Sequence, residues 1–117
     1  MPERSMRPED RIRLLHMLEA AEAAIGFIAG RSRADLDTDR MLMFAVVRAI
    51  EVVGEAANHV SQEGRSLLPS LPWTAIVGMR HRIVHAYFDV DPDTVWKTVV
   101  DELPVLSAAV KAALQQA

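Results

Sequence analysis

Cysteine is absent from the 117 residues, so neither a disulfide nor a thiolate-bound metal can support the fold. Hydrophobic packing must do that work alone, as expected of a cytoplasmic protein. Gly and Pro are scarce, at five and six, and aromatic residues make up 5% of the chain. That scarcity of Gly and Pro argues against disorder except at the ends of the chain. No apolar run approaches the ~20 residues needed to cross a bilayer, and Met1 to Asp10 is polar and charged. Neither an export signal nor a membrane span is predicted. An excess of positive charge is also missing: the formal charge is −3, which excludes a broad basic face coating nucleic acid and leaves room only for a local basic site. Arg far outnumbers Lys among the basic residues, although a codon-usage bias would give the same balance.

Half of the residues are hydrophobic and a quarter are charged, the composition of one folded domain over residues 1–117. The apolar spacing is helical throughout, and nothing alternates with period two. Pro8, with Glu9 and Asp10 behind it, opens a first helix that Gly30 closes. Ile12, Leu15, Leu18, Ala21, Ile25 and Ile28 form its predicted stripe. Arg31 to Asp39 is an acidic loop supplying an N-cap at Asp37 or Thr38. A second helix follows, with Leu42, Val46, Ala49, Val53, Ala57 and Val60 facing the core and Gly64 as its stop signal. A third is expected from Pro72 and Trp73 to about Tyr87. Asp91 as cap and Pro92 as first helical residue open a fourth, reaching Gln115 with Val95, Val99, Leu103, Leu106, Val110 and Leu114 buried. Pro104 should kink or break it near Asp101. The expected fold is all-α, an antiparallel bundle of four to five helices.

The densest stretch of chemistry is Gly78-Met79-Arg80-His81-Arg82-Ile83-Val84-His85-Ala86-Tyr87-Phe88. It places two Arg, two His and one Tyr within eight positions. On an ideal helix Arg80 and Tyr87 share a face two turns apart, about 10 Å along the axis, and His81 and His85 share another. Arg80 and His85 are about 140° apart, so they meet only through side-chain reach, a local distortion or a second surface.

The run Arg-x-x-x-x-His-x-Tyr, here Arg80, His85 and Tyr87, resembles the motif of HepT toxins within the HEPN superfamily of RNases. The resemblance extends through Ala49-Ile50-Glu51-Val52-Val53-Gly54-Glu55-Ala56-Ala57 and Pro72-Trp73-Thr74-Ala75-Ile76-Val77-Gly78-Met79, and so covers most of the chain. It implies a metal-independent endoribonuclease acting on tRNA or mRNA, without a cofactor, the toxin of a type VII-like toxin–antitoxin system. It also implies a homodimer with Arg80 and His85 at a cleft between protomers. The implied antitoxin partner is a minimal nucleotidyltransferase of the MntA kind that attaches AMP to Tyr87. His suits the roles of acid and base because its ordinary pKa of about 6.5 lies near working pH. Arg suits stabilisation of the crowded phosphate. Relatives often carry Asn directly after the Arg. His81 stands there in this chain and can still donate a hydrogen bond, which makes it a supporting residue.

Other readings of the same residues carry less. His81 and His85 at i and i+4 match half of a zinc site, with Glu51, Glu55 or Asp89 as the only third ligands in prospect. Glu51 and Glu55 could be an acid/base pair, but Glu55 is better read as holding Arg80 or Arg82 in position, with Gly54 and Gly78 letting the second and third helices approach. Trp73, Phe88 and Trp96 are expected in the core rather than as stacking platforms, and Asn58 and His59 are candidates for the cleft rim. The alternative function is a non-catalytic nucleotide-binding or interaction module that partners a nucleotidyltransferase.

Overall fold

The computed structural model describes residues 5–83 and 90–116, with the side chain of Arg80 outside that description. Helix α1 (Pro8–Phe27) begins with Pro at its first turn and Glu9 and Asp10 behind it, and ends just before Gly30, whose φ of 75° belongs to the left-handed region that favours glycine. The linker then forms a short helical turn, α2 (Asp35–Thr38). The cap of the next helix, α3 (Arg40–Asn58), is Asp39, not Asp37 or Thr38: its carboxylate accepts from the Leu42 backbone N–H at 3.1 Å. Arg31 donates to Asp35 and to Asp39, and Arg33 to Asp37 and to Asp93. The linker is thereby tied both to its own turns and to the far end of the chain.

The face of α3 is the expected one, with Leu42, Val46, Ala49, Val53 and Ala57 buried and Val60 following beyond the helix end. The face of α1 is the expected one only in part. Ala21 is fully buried, and Leu18, Ile25 and Ile28 pack half-buried against the core. Leu14, Met17 and Ala24 are fully buried as well, however, while Ile12 is 50% and Leu15 38% exposed. Two apolar stripes coexist on this helix, and a carboxylate selects between them. Asp10 is buried and accepts from both the backbone N–H and the hydroxyl of Ser61, just past the end of α3. That bond turns Leu14 and Met17 inward with Asp10, and it sets α1 antiparallel to α3.

Gly64 does not stop a helix either. It lies inside α4 (Gln62–Ser66), which Ser61 caps by accepting from the Gly64 N–H. A Cβ at Gly64 would stand 2.7 Å from Asp10 Oδ2 and 2.8 Å from Val60 Cγ1, so glycine is needed here for close approach. From α4, Arg65 reaches back to the carbonyls of Val60 and Ala57 and lies over the Trp73 ring. Trp73 Nε1 donates to the Leu68 carbonyl. Trp73 and Trp96 are half-buried against the core as expected, whereas Phe88 falls outside the described residues.

The third helix is divided at Gly78 into α5 (Trp73–Val77) and α6 (Met79–Ile83). Gly78 caps α5 by donating to Thr74 O, and its own carbonyl accepts from the His81 and Arg82 N–H groups to start α6. Glycine is a poor interior helix residue, which suits it to this junction. The end expected near Tyr87 lies outside the described residues.

Asp91 caps α7 (Pro92–Lys97) by accepting from Asp93 N–H and Thr94 Oγ1. The chain continues without a break through a π-helical turn (Thr98–Glu102) into α8 (Leu103–Gln116). Within that turn Leu103 N–H donates to Thr98 O, five residues back. Pro104 has no N–H, and its ring would strike the Val100 carbonyl in a regular helix; a wider turn relieves that clash. The expected kink is thus a π turn and not a break. All six stripe residues of this segment are buried. Arg11 donates to the Leu114 carbonyl and Lys111 pairs with Glu22, so α8 also runs antiparallel to α1. The architecture is all-α: α1, α3 and the α7–α8 rod surround one core, and the short α5–α6 pair closes its side. Among the described residues, no helix is long and apolar enough to cross a membrane.

Candidate active site

Helix α6 is anchored by Met79 and Ile83, each about 1% exposed, and its remaining side chains go to opposite flanks. On one flank Arg82 forms a two-point contact with Glu102 in the π turn, at 3.0 and 3.4 Å. On the other, exposed His81 faces α3 across a cleft of about 220 Å³ lined by Gly54, Glu55, Asn58 and Val77. The backbone of Arg80 sits between these flanks. His85, Tyr87 and Asp89 lie outside the described residues, as does the Arg80 side chain, and the expected meeting of Arg80 with His85 therefore falls outside them too.

Two expectations change. Arg82 is held by Glu102, twenty residues further on in sequence, not by Glu55. Glu55 accepts from Arg48 at 3.3 Å, within its own helix, and its expected pairing with Arg80 falls outside the described side chains. Gly54 is buried on the wall of the cleft, in keeping with a close approach of α3 to α5 and α6. Gly78 is not: the nearest atoms to a Cβ placed there are carbonyls of its own helix, Thr74 O at 3.3 Å and Ala75 O at 3.8 Å.

Asn58 lines the cleft beside His81. His59 opens onto a neighbouring groove between α1 and α3, also of about 220 Å³, with Arg13, His16, Arg48 and Glu55. Glu55 borders both spaces. Sequence reasoning missed this groove, although Arg48, Glu55 and His59 recur at helical spacing on one face of α3. The contribution of Arg13 and His16 from α1 is a tertiary fact. Among the described residues, no three His, Asp or Glu side chains are grouped so as to hold a metal ion.

The sequence model of the family described as Ribonuclease HepT-like matches residues 17–113. The chain belongs to the HepT-like ribonuclease family. A protein named "Putative RNase" from Caldanaerobacter subterraneus subsp. tengcongensis is 37% identical over 88% of this chain and 92% of its own. Another of that name from Methanocaldococcus jannaschii is 32% identical over 84% of this chain and 90% of its own. A "Probable ribonuclease HepT" from Thermococcus cleftensis is 40% identical over 62% of this chain and 66% of its own. No solved structure matches. The matched span of this HepT-like chain includes α6 and the residues after it, and so contains Arg80, His85 and Tyr87.

Proposed function

We propose that this HepT-like protein is a metal-independent endoribonuclease, the toxin of a toxin–antitoxin pair, cutting tRNA or mRNA with Arg80 and His85. The observation that supports it most is the family match spanning the motif, joined to an α6 that is fixed by two buried side chains and flanked by an open polar cleft. A rigid element with an open polar flank is what positioned chemistry needs.

In this reading His85 takes the proton of a ribose 2′-hydroxyl, and the freed oxygen attacks the adjacent phosphorus. The bond to the 5′-oxygen breaks as that oxygen takes a proton from the His85 imidazolium. The products are a 2′,3′-cyclic phosphate and a 5′-hydroxyl. Arg80 bears the charge that builds on the non-bridging oxygens. His81 hydrogen-bonds the substrate from the cleft, Glu55 shapes its far wall, and Tyr87 orients the strand. Attachment of AMP to Tyr87 by a nucleotidyltransferase partner would add bulk and negative charge where an RNA phosphate must sit, and so silence the enzyme.

The active form is a homodimer with the two α6 segments at its seam. An apolar hollow of about 190 Å³ beside Met79 and Ile76, rimmed by Asp101 and Glu102, supports a second copy there, as do Val100 and Val105, 45% and 66% exposed.

The deciding assay is cleavage of total RNA and purified tRNA in EDTA by unmodified protein. Wild type should cut, and Arg80→Ala and His85→Ala should each lose about 10²–10⁴-fold. If dimeric, unmodified wild type leaves every substrate intact, the protein is a nucleotide-binding module instead.

A further inference from the structure

The groove between α1 and α3 has no part in the chemistry above, yet its charges are left incomplete by the fold. Arg13 is half-buried there and, alone among the described arginine side chains, has no carboxylate, carbonyl or aromatic partner. It shares the groove with His16 from its own helix and with Arg48 and His59 from α3. Neither imidazole has a hydrogen bond among the described residues, and Arg48 is the member already offset, by Glu51 and Glu55. The one carboxylate among the described residues lining the groove, Glu55, is engaged by Arg48, so the half-buried Arg13 guanidinium and the two exposed imidazoles keep their donors free. A guanidinium fork and ring N–H groups are the donors that suit phosphate oxygens.

We propose that this groove is a second phosphate-binding subsite, which holds the RNA strand away from the scissile bond. The inference rests on the ribonuclease reading. Glu55 forms a wall of both this groove and the His81 cleft, so a strand leaving α6 past Asn58 enters it directly. From Asn58 back to Arg48 is about 15 Å along α3, room for a short stretch of single strand. One turn beyond Arg48 on the same face, Phe44 is 64% exposed and offers a plane on which a base can stack. A positive groove leading to an exposed aromatic ring is a common way of holding single-stranded RNA without reading its sequence.

The test is binding, kept separate from cleavage. Fluorescence anisotropy would follow the full-length protein with a labelled 2′-O-methyl RNA of about twelve nucleotides, within the usual site size for a single strand and unable to be cut because it lacks the nucleophile. Arg13→Ala and His59→Ala should each weaken binding about three- to tenfold. Arg13→Ala should also flatten the dependence of log K on log salt by about 0.7, the value of one phosphate contact on a single strand. Arg13→Lys should recover most of the salt slope. Circular dichroism should be unchanged, since neither side chain supports the core. Equal affinity and equal slope in wild type and Arg13→Ala would overturn the proposal. So would a change in the mass of the assembly with RNA binding untouched, which would make the groove a contact between copies. Should the catalytic reading alone fail, wild type would cut nothing while the Arg13-dependent binding remained.

Discussion

Two groups of polar residues border helix α3 towards its C-terminal end, and the two settings are opposites. At the Asp10, Ser61 and Gly64 contact, a buried carboxylate takes two hydrogen bonds from one serine, whose oxygen accepts a third, and the glycine leaves room for nothing else. At the cleft by His81, the polar side chains are exposed and, Glu55 apart, have no hydrogen-bond partners among the described residues. One site is complete and therefore structural. The other is incomplete and therefore available to a ligand. A polar residue's role in this protein is read from whether its hydrogen-bonding capacity is filled from within the chain.

The contrast can be broken most forcefully at the filled site. Asp10→Ala removes both acceptors from Ser61 and should cost about 3 kcal/mol in urea unfolding. Gly64→Ala should cost about 2 kcal/mol by overpacking, but clearly less in the Asp10→Ala background, because one of its two clashing neighbours is then gone. Strict additivity in that cycle would mean the two residues do not oppose each other as described.

A weaker effect belongs to the linker, where charges are paired but exposed. The Arg31 guanidinium and then the Leu42 N–H hold Asp39 below the ordinary carboxylate value of 3.8, and Thr94 and Asp93 do the same for Asp91. A carboxylate depressed in the folded state contributes stability that is present above pH 3.8 and is lost as pH falls through its lowered folded value. Asp39→Asn keeps a capping side chain but loses the ion pair. Its stability should therefore fall less steeply than that of wild type below about pH 4. Parallel curves would show that the pair with Arg31 adds nothing.

The smallest effect is expected in the open cleft. Asn58→Ala and His81→Ala should each change stability by no more than about 0.5 kcal/mol. A loss near ~2 kcal/mol at either position would show that the cleft is held together from within, and the contrast would fail.

The same distinction explains how much was legible in the sequence. The buried face of α3 followed from spacing, because it presents one coherent apolar stripe, and the buried residues of α7–α8 recur at three- and four-residue steps on either side of the π turn. Asp91 and Pro92 were readable as a helix start because cap and proline stand side by side. Helix α1 carries two competing stripes, and the choice between them lies in a bond to Ser61 that no local pattern contains. Gly64 reads as a stop signal when alone; only the carboxylate above it reveals its use. The acidic loop offers several capping candidates, and geometry selects Asp39. At the site, Arg80, His85 and Tyr87 stand out through a resemblance, whereas the pairing of Arg82 with Glu102 and the groove shared by Arg13 and His59 depend on how separate helices are packed.

The π turn before Pro104 also bears on how this family can change its length. It holds one residue more than a regular helix would, a rotation of about 100° for everything that follows. With that rotation, Leu103, Leu106, Ser107, Val110 and Leu114 come into line with Val95, Thr98 and Val99; without it the two sets would be offset by most of a right angle. The turn therefore acts as a stored insertion. A relative lacking one residue here, with proline replaced at the position of Pro104, would need its apolar pattern in α8 shifted by one to keep the same core, so gaps in an alignment at this point should travel with a change of phase downstream.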